Sequence, residues 1–178
     1  MTRILLTFLA LFAWLAAPLR AEEEDPFVKR FGAVPKEVSL EFRQQAVRYG
    51  TMHLGALAAL GTSGAKDRKG FEEYRKKDVT PELDWLQPET EAEKKMKAAA
   101  VGVIDAMAFQ VDPALVPEDQ REPTAAFLKS CVLPGEEASE FNQMSGMVVR
   151  YLAYATGMPL EEFLKKGKEF QEAERKGK

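Results

Sequence analysis

Apolar residues recur every three or four positions over several long stretches of the chain, which is the spacing of one face of an α-helix. The pattern predicts long helices over residues 36–60, 90–111, 136–156 and 159–174, and shorter ones near 67–77 and 124–132. β-branched residues are sparse and never alternate over the length of a strand, so no sheet is expected. The sequence therefore predicts an all-α fold, a compact bundle of three long antiparallel helices with an amphipathic C-terminal helix and short connecting helices.

Local signals mark several helix ends. Thr90 and Glu93 form a capping box, in which each side chain binds a free backbone amide near the other residue. Gly157 suits the position that follows the end of a helix, and Pro159 suits the first residue of the next one. Residues 112–123 contain three prolines, and we expect an ordered surface loop there.

Two of the predicted apolar faces bear most directly on function. The first long helix has the face Phe42, Ala46, Tyr49, His53, Leu57 and Leu60. The last helix has the face Leu160, Phe163, Leu164 and Phe170, with many charged residues on its other sides. An amphipathic helix must place its apolar face against something, and the close turn at residues 157–159 favours its own bundle over a partner.

The N-terminus has the pattern of a secretory signal peptide. Arg3 precedes an apolar run over residues 4–17, and Pro18 and the small residue Ala21 follow it. The run is shorter than the ~20 residues that cross a bilayer. We predict a signal peptide over 1–21, an acidic segment over 22–35, a single helical domain over 36–178, and a periplasmic or secreted mature protein. The alternative is an uncleaved signal anchor.

Composition and charge exclude several classes of protein. The chain is 46% hydrophobic and 30% charged, which excludes a disordered chain and a polytopic membrane protein. Its net charge is −3, and loss of residues 1–21 would remove two arginines and no acid, leaving −5. This acidity argues against nucleic acid as the main partner. One Cys and one His exclude a disulfide framework and the common zinc sites, and without a CxxCH motif no c-type haem is expected.

His53 is the one histidine of the chain and lies in the middle of an apolar face. We expect a core histidine, kept neutral by burial and bonded to a neighbour through a ring nitrogen. The alternative is a ligand role, because a His and a Met inside a helical bundle can hold haem iron or copper. The methionines on or beside the inner faces are Met52, Met107, Met144 and Met147.

Three further residues are candidates for chemistry. Cys131 has no base near it in the sequence, so we expect a small buried residue, with an intermolecular disulfide as the second choice. Asp105 and Arg150 each interrupt an apolar helix on the side opposite its apolar face. We therefore expect both of them to be solvated, and a buried ion pair is the alternative.

No catalytic motif or paired-carboxylate pattern occurs in the sequence, while helical packing surfaces are plentiful. The sequence predicts a non-catalytic binding or interaction module with a protein partner. The alternative is a carrier of a small ligand, haem or copper in the bundle interior around His53. An enzyme ranks third, because carboxylate or Ser/Lys sites can assemble in three dimensions alone. An open pocket beside His53 would favour the carrier over the interaction module.

Overall fold

A computed structural model of the protein describes residues 25–62 and 68–176. The predicted signal peptide and residues 22–24 lie outside these ranges. Within them the chain is predominantly helical and forms no strand, so the all-α fold class is confirmed.

The described chain forms nine α-helical segments. They are α1 (Pro26–Phe31), α2 (Leu40–Tyr49), α3 (Gly55–Thr62), α4 (Arg68–Tyr74), α5 (Thr80–Glu82), α6 (Glu91–Val111), α7 (Glu118–Ser130), α8 (Glu140–Thr156) and α9 (Leu160–Lys176). Two π-helical segments interrupt this pattern: Gly50–Leu54 joins α2 to α3, and Arg75–Val79 joins α4 to α5. Single 3₁₀ turns occupy Leu83–Trp85 and Pro113–Leu115.

Helix α8 is the most enclosed of the long helices. Every residue from Met144 to Ala155 is buried, because α2, α3, α6, α7 and α9 all pack around this helix. Helix α8 lies so near the end of α7 that a Cβ atom on Gly146 would be 2.2 Å from the Cys131 carbonyl oxygen. Glycine is therefore required at position 146 to let the two helices meet.

The predicted capping box is present, and it reaches beyond its own helix. The Thr90 hydroxyl accepts a bond from the Glu93 amide, and a Glu93 carboxylate oxygen accepts one from the Thr90 amide. The other Glu93 oxygen accepts bonds from the Ser39 hydroxyl at 2.7 Å and from the Ser39 amide at 3.2 Å. Since Ser39 is the N-cap of α2, Glu93 joins the first turns of α2 and α6.

The structure corrects the predicted loop over residues 112–123. Helix α7 already begins at Glu118, so Pro123 lies inside it. Pro117 takes the N-cap position, where its missing amide costs nothing, and Pro123 removes one backbone hydrogen bond near the helix start. Glu118 and Asp119 in the first turn stabilise the helix through their interaction with the helix dipole.

Helix α1 is an element that the apolar pattern did not predict. Asp25 caps it, with a carboxylate oxygen 2.8 Å from the Phe27 amide, and Pro26 is its first residue. Phe27 is buried against Tyr154 and Phe127, and the Phe31 ring meets α6 at Gly102. The Tyr154 hydroxyl donates to the Phe31 carbonyl at 3.4 Å. The stretch that reads as an acidic tail therefore contains a helix that packs on the core.

Helix α9 packs on its own bundle through its first half. Leu164 is buried with Leu133 and Val149, and Leu160 and Phe163 pack against this cluster. Phe170, assigned to the same face, is 56% exposed. The apolar face of α9 is therefore only partly covered by the described part of the protein.

Candidate functional site

His53 joins the first π-helical segment to α5. Its ring is buried, as expected, and Nε2 forms a short contact with a carboxylate oxygen of Glu82 in α5. Tyr49, one turn earlier, lies with its ring centroid 5.3 Å from that of His53. The Tyr49 hydroxyl donates to the Val79 carbonyl at 3.0 Å, at the end of the second π-helical segment. Segments of this kind are frequent at functional sites, so this junction is the first candidate site.

One ring nitrogen of His53 has no partner. Nδ1 is buried and forms no hydrogen bond with the described residues. Burial, and to a smaller degree the charge of Glu82, raises the pKa of the neighbouring Tyr49 far above its ordinary value. Tyr49 therefore stays a neutral donor and cannot serve as a base. At this junction, Nδ1 of His53 is therefore the buried side-chain atom that lacks a partner among the described residues.

The methionines expected around His53 differ in burial. Met107, Met144 and Met147 are fully buried, whereas Met52 is 42% exposed, which corrects its predicted inner position. Neighbouring residues on a helix diverge by about 100°, so Met52 points outward where His53 points inward. Across residues 25–62 and 68–176, no group of three or more His, Cys, Asp or Glu side chains could hold a metal ion.

Two of the remaining sequence candidates lie where they were expected. Cys131 is fully buried, and burial raises the pKa of its thiol to about 12, so the thiol is neutral and unreactive. Asp105 is exposed, with a carboxylate oxygen 3.5 Å from the Arg75 guanidinium. Partial burial of the Asp105 carboxylate raises its pKa, and the charges of Arg75 and Arg30 oppose that shift.

The prediction that Arg150 is solvated is wrong. Arg150 is 7% exposed, because it lies in the stretch of α8 from Met144 to Ala155, which is buried on every side. Its guanidinium forms an ion pair with the Asp25 carboxylate, and its Nε donates to the Cys131 carbonyl at 3.3 Å. The buried pair exists, but its acid comes from the start of α1 and could not be assigned from helix faces.

A second candidate site is separate from the His53 junction. An open groove of about 1880 Å³ runs between α1 with residues 33–36, the end of α7, and the turn from α8 into α9. We call it the α1–α8 groove. His53 does not line it. Its apolar lining includes Val34, Phe127, Tyr154 and Met158. Sequence analysis missed this groove because α1 forms one of its walls.

The charges that line the groove are mostly positive. Five basic side chains line it: Lys29, Arg30, Lys36, Arg43 and Arg150. Two acidic side chains also do so, Asp25 and Glu161. This excess is the reverse of the charge of the whole chain, which is −3. The groove is therefore a local basic surface on an acidic protein.

Arg43 lies where residues 35–36 meet the end of α8, and it forms no ion pair with a described residue. Its Nη1 donates to the Ala155 carbonyl at 3.3 Å, at the C-terminal end of α8, and its Nη2 donates to the carbonyls of Pro35 and Lys36. The guanidinium also lies against Gly157, which ends α8 in the left-handed conformation with φ of 78°. A side chain at position 157 would strain the backbone and displace Arg43.

Arg30, in α1, has a similar environment. It donates to the Pro123 carbonyl at 3.3 Å and to the Thr124 hydroxyl at 3.4 Å, and its guanidinium carbon lies 4.7 Å from the centre of the Phe127 ring. Burial lowers the pKa of Arg30, but arginine stays charged in proteins. Neither Arg30 nor Arg43 forms an ion pair within the described part of the chain.

No protein-family model, curated protein or solved structure matches the chain. Among the described residues, no helix is long and apolar enough to cross a membrane. The two sites therefore have to be interpreted from their own chemistry.

Proposed function

We propose that the protein is an exported, non-catalytic binding module, a compact bundle of three long antiparallel helices that receives a polypeptide partner in the α1–α8 groove. The observation that carries the proposal is the groove itself, which has a volume of about 1880 Å³ and is open to solvent. Pockets for small molecules enclose their ligand and measure ~300–1,000 Å³. A larger, open groove suits a segment of polypeptide better than a small molecule.

The walls of the groove are held in place before any partner arrives. Arg150 fixes the start of α1, Arg30 joins α1 to α7, and Arg43 joins residues 35–36 to the end of α8. Tyr154 adds a bond to the last residue of α1. A surface that is already ordered loses less conformational entropy on binding, which favours a recognition role.

Site-specific photo-cross-linking in the exporting cell tests the proposal. A photoreactive residue replaces Ala126, which is exposed and lines the groove, and in a control replaces Val101, which is exposed on α6 and does not line it. We expect a discrete polypeptide adduct from position 126 and none from 101. The purified adduct partner should bind the wild-type protein and fail to bind Ala126→Trp. No adduct, or the same adduct from both positions, would contradict the proposal.

The second candidate function is a carrier of a small ligand, haem or copper around His53. The buried Nδ1 without a partner favours it, because a metal-binding histidine usually gives its other ring nitrogen to a carboxylate, as His53 does to Glu82. Titration of the protein with copper(I) and with haem tests this candidate. Stoichiometric binding that His53→Gln abolishes would support it, and equal binding by the variant would exclude it.

A further inference from the structure

We infer that the partner segment is acidic, and that the α1–α8 groove selects extended polypeptides in which carboxylates alternate with apolar side chains. This inference rests on the proposed function and specifies the chemistry of its partner. Three observations carry it: two arginines in the groove that form no ion pair with a described residue, two exposed lysines that also line it, and one carboxylate that the groove already binds.

The first observation is the state of the two half-buried arginines. The guanidinium groups of Arg30 and Arg43 donate hydrogen bonds to carbonyl oxygens and a hydroxyl, which carry no net charge. A cation removed from water is stabilised most by an anion in direct contact, and neither arginine forms an ion pair with a described residue, although the charge of Asp105 acts on Arg30 from farther away. A carboxylate from a bound segment would supply that anion, and a neutral or basic segment would not.

The second observation concerns Lys29 and Lys36. Both line the groove, both are exposed, and neither forms an ion pair with a described residue. Lys29 lies on α1, and Lys36 lies beyond it at the turn that Arg43 holds. The two ammonium groups are thus available to an arriving segment at separate places along one wall, whereas the arginines are already oriented by the fold.

The third observation is the bond between Arg150 and Asp25. A carboxylate is held in the groove lining by a buried guanidinium that also donates to the Cys131 carbonyl. The same guanidinium–carboxylate chemistry is available to a partner at Arg30 and Arg43. Apolar residues of the same lining, including Val34 and Met158, would accept the alternate side chains of an extended strand.

Nucleic acid would also bring negative charge, but the groove lacks the features that suit it. Single strands bind on exposed aromatic rings, whereas Phe127 and Tyr154 are buried and Arg30 covers the Phe127 ring. The net negative charge of the whole protein repels a long polyanion. A short acidic peptide segment meets the basic groove without extending over the acidic surface around it.

Fluorescence anisotropy with synthetic 12-residue peptides tests the inference. One peptide alternates Glu with Leu and Phe, and a matched peptide carries Gln in place of every Glu. We expect the mature wild-type protein to bind the Glu peptide at least ~10-fold more tightly, with the preference falling as salt rises from low to physiological concentration. The variant Lys29→Glu/Lys36→Glu should lose at least ~10-fold in affinity for the Glu peptide.

The matched control is Lys76→Glu/Lys77→Glu, an equal change of charge at two exposed lysines outside the groove. It should change the affinity by less than ~2-fold, apart from the general effect of net charge. Urea unfolding of both variants confirms that each is folded before the affinities are compared.

Several outcomes would overturn the inference. Equal affinity for the Glu and Gln peptides would show that the groove does not select carboxylates. Equal losses of affinity for the Glu peptide in the two charge-reversal variants would show the same. Tighter binding of a 12-nucleotide single strand that Lys29→Glu/Lys36→Glu abolishes would assign the groove to nucleic acid. A neutral or basic partner cross-linked from position 126 would overturn the acidic preference and leave the proposed binding function intact. Absence of both peptide binding and the adduct would overturn both.

Discussion

The Asp25 carboxylate makes one local and one long-range contact. One of its oxygens caps α1, and the other pairs with Arg150, which lies 125 positions later in the chain. Arg150 is buried and the Asp25 side chain is about three-quarters buried, so the ion pair is shielded from water. It fixes the point at which the chain enters the fold and one end of the α1–α8 groove.

Asp25→Asn should destabilise the protein by about 2–4 kcal/mol, because it keeps a capping oxygen but leaves Arg150 as a buried cation without a counter-ion. The control is Asp105→Asn, which removes an exposed partner of Arg75 and should cost about 0.5 kcal/mol or less. Urea titration measures both. Equal midpoints for the two variants would show that the Arg150 pair contributes no more than a surface pair.

Glu93 should make stability depend on pH in the acid range. The Ser39 hydroxyl, followed by the backbone amide of Glu89, lowers the pKa of Glu93 from 4.5 to about 2. The folded state therefore holds the proton less tightly than the unfolded chain. The resulting stabilisation is complete above pH ~4.5 and is lost as the pH falls towards 2.

The measurement for Glu93 is the difference in unfolding free energy between the wild type and Glu93→Gln. We expect this difference to be largest at pH 6 and to shrink steadily as the pH falls from 4.5 towards 2. Glu41→Gln, an exposed change of the same kind on α2, serves as the control. A difference that does not vary with pH would show that the Glu93 bonds do not depend on its charge.

His53→Ala should destabilise the fold by about 1–3 kcal/mol, because it opens a cavity between the π-helical segments and leaves Glu82 without its partner. Met52→Ala, at the neighbouring exposed position in the same segment, should change stability by about 0.5 kcal/mol or less. The urea midpoints of the two variants measure these changes in stability. An unchanged midpoint for His53→Ala would show that the junction contributes nothing to stability.

Phe163→Ala and Phe170→Ala compare the two halves of α9. Phe163 packs on the cluster around Leu164, so its truncation should cost about 1.5–3 kcal/mol, less than the ~3–5 kcal/mol of a fully buried Phe. Phe170 is mostly exposed, and its loss should cost about 0.5 kcal/mol or less. Unfolding of the isolated protein measures both. Equal effects would mean that α9 is not docked as the structure shows.

Local patterns predicted the helices well where their cause was local. The apolar spacing predicted helices where α6 and α8 form, and single residues predicted the capping box at Thr90 and Glu93 and the helix end at Gly157. The same signals were present for α1, in Asp25 followed by Pro26, but the acidic residues before them favoured a tail. The error at residues 112–123 came from treating the three prolines of this stretch as incompatible with a helix.

The candidate sites depended on contacts between distant parts of the chain. The sequence alone determined the helical class, the burial of His53 and the inert character of Cys131, because helical periodicity and residue chemistry act over a few positions. Only the tertiary structure decided that Glu82 meets His53, that Asp25 meets Arg150, and that Arg30 and Arg43 face one groove. A helix face shows which side is apolar, but the partner of a polar side chain is set by how the helices pack around it.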